Sequence, residues 1–174
     1  KIKIPLLGIH NIRNSVAAAA VALTVGITIK DIKNGLLRFK GVQRRFNKIF
    51  TFNGVNFYDD YAHHPTEIKM VLDGVNEVYK DYEKVCVFQP HRISRLRDLR
   101  KEFSFAFQKA DIVILCPVYL AGEKIKLPFS YLKFAKEIIK NSKVKLFLIK
   151  DNIQLAKFIK RNIYGKKIVI GMGA

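Results

Sequence analysis

The chain has 174 residues, 49% of them hydrophobic and 26% charged, which suffices for the core of one domain or of one domain and part of another. This composition excludes a disordered tail protein, and no apolar run is long enough for insertion into a membrane. The formal net charge of +18 attracts anions such as nucleic acid or nucleotides. However, the lysines are scattered rather than clustered, which is typical of a solvated surface.

The two cysteines, Cys86 and Cys116, each lie inside an apolar run. This placement predicts buried free thiols and favours a cytoplasmic protein over a secreted, disulfide-bonded one. The chain opens at Lys1 without a signal peptide, and a predicted strand near its end runs into a glycine turn that has no continuation. We therefore expect the chain to be a fragment of a larger protein.

Two helices are predicted in the first part of the chain. Residues 11–26 are rich in alanine and valine, and Asn11 is the candidate N-cap of this helix. Residues 29–39 place their apolar side chains on one side of a second helix. The helical pattern then breaks at a glycine, which predicts a boundary between a domain at residues 1–44 and another at residues 45–174.

Beyond this boundary, strands and helices alternate along the chain. The strands are predicted at residues 48–52, 55–58, 84–88, 111–116, 144–149 and 167–171. The helices are predicted at residues 66–79, 96–110, 129–140 and 153–163. Asn53 and Gly54, between the first two strands, predict a two-residue hairpin turn. The alternation predicts an α/β fold with a mostly parallel, doubly wound sheet.

Ligands of such sheets bind beyond the carboxyl ends of the strands, which directs attention to the loops at residues 59–66, 89–97 and 117–126. The first loop and the residue after it have the sequence DDYAHHPTE at residues 59–67. Its carboxylates can accept hydrogen bonds from a ribose, and its imidazoles can donate to a phosphate or stack on a base. A metal site is the competing interpretation, although a third ligand is not obvious. A hydrophilic turn before a capped helix is the structural alternative, but five polar groups in one such loop favour a functional site.

The second loop reads QPHRISRLRD at residues 89–98. Arg92 and Arg95 share one face if both lie on the incoming helical turn, and arginine binds a carboxylate or phosphate through forked hydrogen bonds. A solvated basic helix start, in which Asp98 merely pairs with Arg95 or Arg97, is an equally good interpretation.

Three further runs are weaker signals. The third loop includes PVYLAGEK at residues 117–124, which is typical of an ordinary connection between a strand and a helix. Near the amino end, Asn11 and Asn14 are spaced to face the same way, so their amides either hold the phosphates or adenine of a nucleotide or serve as a simple helix cap. The run GVQRRF at residues 41–46 places paired arginines at the predicted boundary, where a basic linker is the alternative.

Taken together, these runs resemble the Mur ligases of peptidoglycan synthesis over essentially the whole chain. The resemblance rests on five motifs in matching order and spacing: HNIRN at 10–14, GVQRRF at 41–46, DDYAHHPTE at 59–67, QPHRISRLRDL at 89–99 and VYLAGE at 118–123. It implies a Rossmann-like carboxyl-terminal domain at residues 45–174. It also implies that residues 1–44 are the helical tail of a central ATPase domain.

The resemblance further implies ATP-dependent ligation of L-alanine to UDP-N-acetylmuramate in the cytoplasm. The family's glycine-rich P-loop is absent from this chain, so ATP and Mg²⁺ would be bound mainly upstream, and we expect the chain alone to be inactive. A murein-peptide recycling ligase of the same family is the alternative, against which the Arg92 and Arg95 pair favours alanine addition. A basic nucleic-acid-binding module ranks lower because the aromatic residues follow core periodicity. A plain dinucleotide-binding domain ranks lower because no Gly-x-Gly-x-x-Gly follows a strand.

The resemblance also implies roles for individual residues. On the L-alanine side it places Tyr61, His63, His91, Arg92 and Arg95. On the nucleotide side it places Asn11, Asn14, Arg45 and Asp60. It assigns neither a metal ligand nor a catalytic residue within this chain.

Overall fold

The computed structural model describes residues 2–124 and 129–173. Its contacts divide the chain into two compact units, Lys1–Gln43 and Arg44–Ala174. Within the described ranges, no helix is both long and apolar enough to cross a membrane.

The first unit contains helix α1 (Ile9–Thr24), which starts two residues earlier than predicted. Its N-cap is Gly8, with a φ of 89°, and this left-handed conformation suits a residue without a Cβ atom. Asn11 is therefore not the cap that the sequence predicts. Its side-chain amide instead donates to the carbonyl oxygen of Leu7 at 2.7 Å.

Helix α2 (Ile29–Arg38) matches its prediction to within one residue. The hydroxyl of Thr28 accepts a hydrogen bond from the backbone N–H of Asp31 at 3.2 Å, which satisfies one donor of the first turn. Ile32 is the residue that α2 buries.

The second unit is built on one sheet. The described strands are β1 (Asn47–Phe52), β2 (Val55–Asp60), β3 (Glu83–Phe88), β4 (Ile112–Leu115), β5 (Lys145–Leu148) and β6 (Lys167–Met172). Their order across the sheet is β1-β2-β6-β3-β4-β5. The β1–β2 pair is antiparallel, and the other described pairs are parallel. The predicted α/β fold with a mostly parallel sheet is therefore confirmed. Asn53 and Gly54 make the predicted hairpin turn, with φ angles of 49° and 78°.

Helices cover both faces of this sheet. The described helices are α3 (Pro65–Val78), α4 (Ile93–Asp98), α5 (Arg100–Phe105), α6 (Tyr131–Ser142) and α7 (Asn152–Asn162). Neighbouring residues of a strand point to opposite faces, and in β6 Ile168 and Ile170 join a larger apolar cluster while Val169 joins a smaller one. The larger cluster contains residues of α3, α5 and α6, and α7 packs against the smaller one. The sheet is therefore doubly wound, as predicted.

Two further local predictions are wrong. The single helix expected at residues 96–110 is instead α4 and α5, which meet at Leu99 with φ −110°. No glycine or proline marks this break in the sequence, and the flanking Leu96 and Phe103 are both buried, each 1% exposed. Asp59 and Asp60 lie within β2 rather than in the loop after it, because β2 pairs with β6 as far as Asp60.

Both cysteines are buried and free, which confirms their prediction. Cys86 lies in β3 and is fully buried, so desolvation raises the pKa of its thiol. Burial likewise raises the pKa of Cys116 to about 11. Neither thiol is therefore poised for chemistry at neutral pH.

The larger cluster should dominate stability, and α5 offers a matched pair of phenylalanines. Phe103 is 1% exposed and contacts the rings of Phe88 and Phe134, whereas Phe105 is 42% exposed. We expect Phe103→Ala to lower the free energy of unfolding by about 3–5 kcal/mol through lost burial and a residual cavity. Phe105→Ala should cost less than about 1 kcal/mol. Urea denaturation of both variants checks this, and equal losses would contradict the described core.

Candidate functional site

Four rings from three loops form a continuous row at the carboxyl edge of the sheet. Tyr61 and His63 follow β2, His91 follows β3 and Tyr119 follows β4. Successive ring centroids are 5.0, 6.0 and 5.3 Å apart along this ring row. Because each loop contributes at least one ring, the ring row connects the three loops through direct side-chain contacts.

Asp60 fastens the first loop at its base. Its carboxylate is 3% exposed and accepts hydrogen bonds from the backbone N–H groups of Ala62 and Phe46, both at 2.8 Å. Burial raises the pKa of Asp60, while these two bonds and the charge of Arg45 oppose the rise. The predicted nucleotide residue thus holds the chain segments before β1 and after β2 together.

Glu67 and His64 cap helix α3 and thereby place His63. The Glu67 carboxylate accepts from the backbone N–H groups of His63 and His64 at 3.0 and 3.1 Å, and a His64 ring nitrogen accepts from the N–H of Thr66. This arrangement is a capping box, and Pro65 occupies the first helical position as predicted. The Nδ1 atom of His63 donates to the carbonyl oxygen of Tyr61 at 2.8 Å, so Nε2 is the ring nitrogen left for a ligand.

Arg92 is in an unusual backbone conformation, with φ 71° and ψ 129° at the N-cap of α4. Arg92 therefore precedes the first helical turn, so the condition under which it would share a helical face with Arg95 is not met. Its N–H donates to the carbonyl of Tyr119, whose own N–H donates to the carbonyl of Pro90, at 2.9 and 2.8 Å. Conformations of this kind cost about 1–3 kcal/mol and persist where surrounding contacts impose them.

His91 nonetheless lies directly beside a guanidinium group. The guanidinium of Arg95 lies 3.4 Å from His91 Nδ1 and 3.3 Å from its carbonyl oxygen. Burial, followed by the charges of Arg95, His63 and Arg92, lowers the pKa of His91. His91 is therefore neutral at pH 7, and because its Nδ1 faces a donor, its proton lies on Nε2. Of the two partners predicted for Asp98, Arg95 and Arg97, the guanidinium of Arg97 donates to its carboxylate at 2.8 Å.

Arg44 is a contact residue to which the sequence assigned no role. Its guanidinium donates to the carbonyl of Gly173 at 2.7 Å and to Asp59 at 3.3 Å, and it lies 4.8 Å from the ring centroid of Tyr61. The paired arginines in the sequence did indicate a functional segment here, but the family resemblance placed Arg45, not Arg44, on the nucleotide side. Arg45 is exposed, and its charge acts on Asp60 and Glu67.

The third loop makes more contacts than an ordinary connection would. Tyr119 stacks on His91, and the Glu123 carboxylate accepts hydrogen bonds from the hydroxyl and the backbone N–H of Ser94. Gly122 makes the predicted turn with φ 80°. Residues 125 and 126, which end the predicted loop, lie outside the described residues.

Asn11 and Asn14 belong to the first unit. Both lie in the first two turns of α1, three positions apart and therefore on one face. Their contact with a nucleotide stays a prediction.

Within residues 2–124 and 129–173, no group of three or more His, Cys, Asp or Glu side chains could hold a metal ion. The competing metal interpretation of the first loop gains no support, and we assign no Mg²⁺ ligand to the described part of the chain.

Residues 44–174 match the family described as "Mur ligase, glutamate ligase domain". The chain therefore belongs to the Mur ligase family, which confirms the resemblance seen in its motifs.

Individual relatives indicate which ligases of the family this chain is similar to. The chain is 71% identical to the UDP-N-acetylmuramate–L-alanine ligase of Pelagibacter ubique over 174 residues, which are 100% of this chain and 38% of that relative. It is 50% identical to the ligase of the same name from Brachyspira hyodysenteriae, over 69% of this chain and 26% of the relative. The chain thus spans well under half the length of these relatives.

Solved structures of ligases are also similar to this chain in fold. The crystal structure of the UDP-N-acetylmuramate-alanine ligase MurC from Thermotoga maritima matches 99% of this chain and 36% of its own, with a TM-score of 0.80 and 27% identity. A murein peptide ligase from Psychrobacter arcticus matches 99% of this chain and 35% of its own, with a TM-score of 0.70. At 21% identity, this second likeness shows the fold alone.

Glu67 should make the stability of the second unit sensitive to acid. Burial alone would raise its pKa, but the backbone N–H groups of His63 and His64 and the nearby positive charges outweigh this, so its pKa lies below the usual 4.5. Its contribution to stability is therefore complete above that pH and is lost as the pH falls through the folded-state pKa. We expect Glu67→Gln to lower the free energy of unfolding by about 1 kcal/mol at pH 7 and to flatten its fall in acid.

The measurement is urea denaturation at a series of pH values from 7 downwards. Glu77→Gln, an exposed position on the same helix, is the control. Identical acid slopes for Glu67→Gln and the unsubstituted chain would contradict this account.

Proposed function

We propose that this chain supplies the amino-acid-binding residues of an ATP-dependent ligase that joins L-alanine to UDP-N-acetylmuramate in peptidoglycan synthesis. The observation that carries the proposal is that Arg95 and His63 both contact His91, while the charge of Arg92 acts on the same imidazole. A cluster of cationic and donor groups of this kind suits a small carboxylate. The 71% identity to the Pelagibacter ubique ligase supports the choice of substrates.

The reaction would proceed in two chemical steps. ATP phosphorylates the lactyl carboxylate of UDP-N-acetylmuramate, which gives an acyl phosphate and ADP. The amine of L-alanine then attacks the acyl carbon, and the tetrahedral intermediate expels inorganic phosphate as the amine loses its proton. Such reactions depend mainly on positioning and charge stabilisation, which is what this chain offers.

The alanine carboxylate would bind to Arg92 and Arg95, which leaves the amine pointing away from the cations and able to attack. Because Nδ1 of His91 faces Arg95, its Nε2–H is left as a hydrogen-bond donor for a bound ligand. Tyr61 and His63, the neighbours of His91 in the ring row, would border both substrates.

The nucleotide would be contacted by Asn11, Asn14 and Arg45, which are polar and at least partly exposed. Asp60 would act there mainly through the loop that it fastens, because its carboxylate is 3% exposed. Bound Mg²⁺ would neutralise phosphate charge, but the described residues do not form a ligand set for it.

The cytoplasm is the proposed location, because two buried free thiols are typical of a reducing compartment. The nucleic-acid-binding interpretation is not supported, since the similar proteins are ligases and the family match covers residues 44–174.

The test uses a full-length chimera in which this chain replaces the matching 174 residues of the Pelagibacter ubique ligase. Phosphate release is measured with ATP, Mg²⁺ and UDP-N-acetylmuramate, and with either L-alanine or an L-alanine-containing peptide as the acceptor. Release with free alanine is the expected result. Release only with the peptide would assign the chain to a recycling ligase, and release with neither acceptor from a folded chimera would overturn both assignments.

Within the chimera, Arg92→Ala should selectively weaken alanine binding. A lost charge-assisted hydrogen-bond pair costs about 1.5–3 kcal/mol, so the alanine KM should rise roughly 10- to 100-fold. The ATP KM should change less than about twofold, because the arginine serves the amino acid rather than the nucleotide. Arg97→Ala, an exposed arginine paired with Asp98 on the same helix, is the control. Equal rises in both KM values for Arg92→Ala would argue against its role.

A further inference from the structure

Helix α4 carries Arg95 and begins directly after Arg92, and its first turn is held by a residue of another loop. The backbone N–H of Ser94 donates to Glu123 Oε2 at 3.2 Å, and the Ser94 hydroxyl donates to Glu123 Oε1. Both carboxylate oxygens of Glu123 are thus engaged by one residue of α4, 29 positions earlier in the chain.

This contact replaces a cap that α4 cannot supply for itself. The first backbone N–H groups of a helix need acceptors from outside the helix, and they usually find one in the side chain of the N-cap residue. The N-cap of α4 is Arg92, whose guanidinium can only donate. Glu123 provides the acceptor instead, from the loop after β4.

The same loop also holds the backbone of Arg92. The carbonyl of Tyr119 accepts the N–H of Arg92 at 2.9 Å, and the Tyr119 ring stacks on His91. Tyr119 therefore holds the residue before α4, while Glu123 holds the first turn. The backbone of Arg92, with its positive φ, lies between these two attachments. Conformations of this kind persist where surrounding contacts hold them in place.

Hydrogen bonding from the Ser94 side chain lowers the pKa of Glu123, with smaller contributions from the N–H groups of Ser94 and Ile93 and from the charge of Arg92. Glu123 is therefore ionised at neutral pH. Its negative charge acts on Arg92 from the side of the third loop and on the start of α4.

We propose that Glu123 is a positioning residue for the amino-acid site: through Ser94 it holds α4 so that Arg92 and Arg95 converge on one carboxylate. Both of its oxygens accept hydrogen bonds from Ser94, so the role that we assign to Glu123 is positioning of α4 rather than contact with the amino acid. The inference rests on the proposed function, since it assigns that carboxylate to L-alanine.

The test uses the full-length chimera with three substitutions. Glu123→Ala removes both acceptors, so the alanine KM should rise about tenfold while the ATP KM changes less than about twofold. Glu123→Gln keeps one oxygen acceptor and should retain an alanine KM within about threefold of the unsubstituted value. Ser94→Ala keeps the backbone N–H but loses the hydroxyl, so its alanine KM should lie between the two.

Asp98→Ala is the matched control. Its carboxylate lies on α4, the helix that Glu123 holds, but it pairs with the exposed Arg97 rather than with the start of the helix. The thermal unfolding midpoint of each variant shows whether it is folded. If Glu123→Ala does not fold, Ser94→Ala decides, since it removes a single hydroxyl. An alanine KM that is unchanged, or that rises together with the ATP KM, would overturn the proposal. Failure of the unsubstituted chimera to use alanine would instead refute the proposed function.

Discussion

The parallel pairing of β6 between β2 and β3 is the constraint on which the site depends. All six residues of β6 pair with β2 on one side and with β3 on the other, so Asp60 and Phe88 both lie in register with Met172. The loops after β2 and β3 therefore begin at one level, about 10 Å apart across β6. A register slip of one residue would turn the core-facing side chains of β6 to the opposite face. This pairing brings two of the three loops that carry the ring row to one level of the sheet.

Acidic and basic side chains are used in opposite ways around the site. The carboxylates of Asp60, Glu67 and Glu123 each accept backbone N–H groups and so hold loops and helix starts in place. With the acidic groups engaged in this way, the arginines beside His91 keep their positive field at the carboxyl edge. The anion site that we propose is thus built on internal anionic supports.

The sequence predicted the sheet and its helices well, because strand and helix periodicities are local properties of the chain. It failed where partners far apart in the chain decide the outcome. The end of β2 at Asp60 is set by pairing with Met172, and the break at Leu99 falls where neither glycine nor proline marks it in the sequence. Similarly, the hydrogen bonds between Ser94 and Glu123 join two loops that only the fold brings together. The motif residues themselves were found through a family resemblance, since their spacing alone left bland interpretations open.

The backbone of Arg92 places the needs of stability and of ligand binding in conflict. A positive φ suits glycine, which would relax the turn at little conformational cost. Glycine would, however, remove the guanidinium that we propose binds the amino-acid carboxylate. Under that proposal, selection for heat resistance alone would favour a substitution here that selection for activity would reject. Position 92 is thus one where a more robust protein and a more useful protein have different sequences.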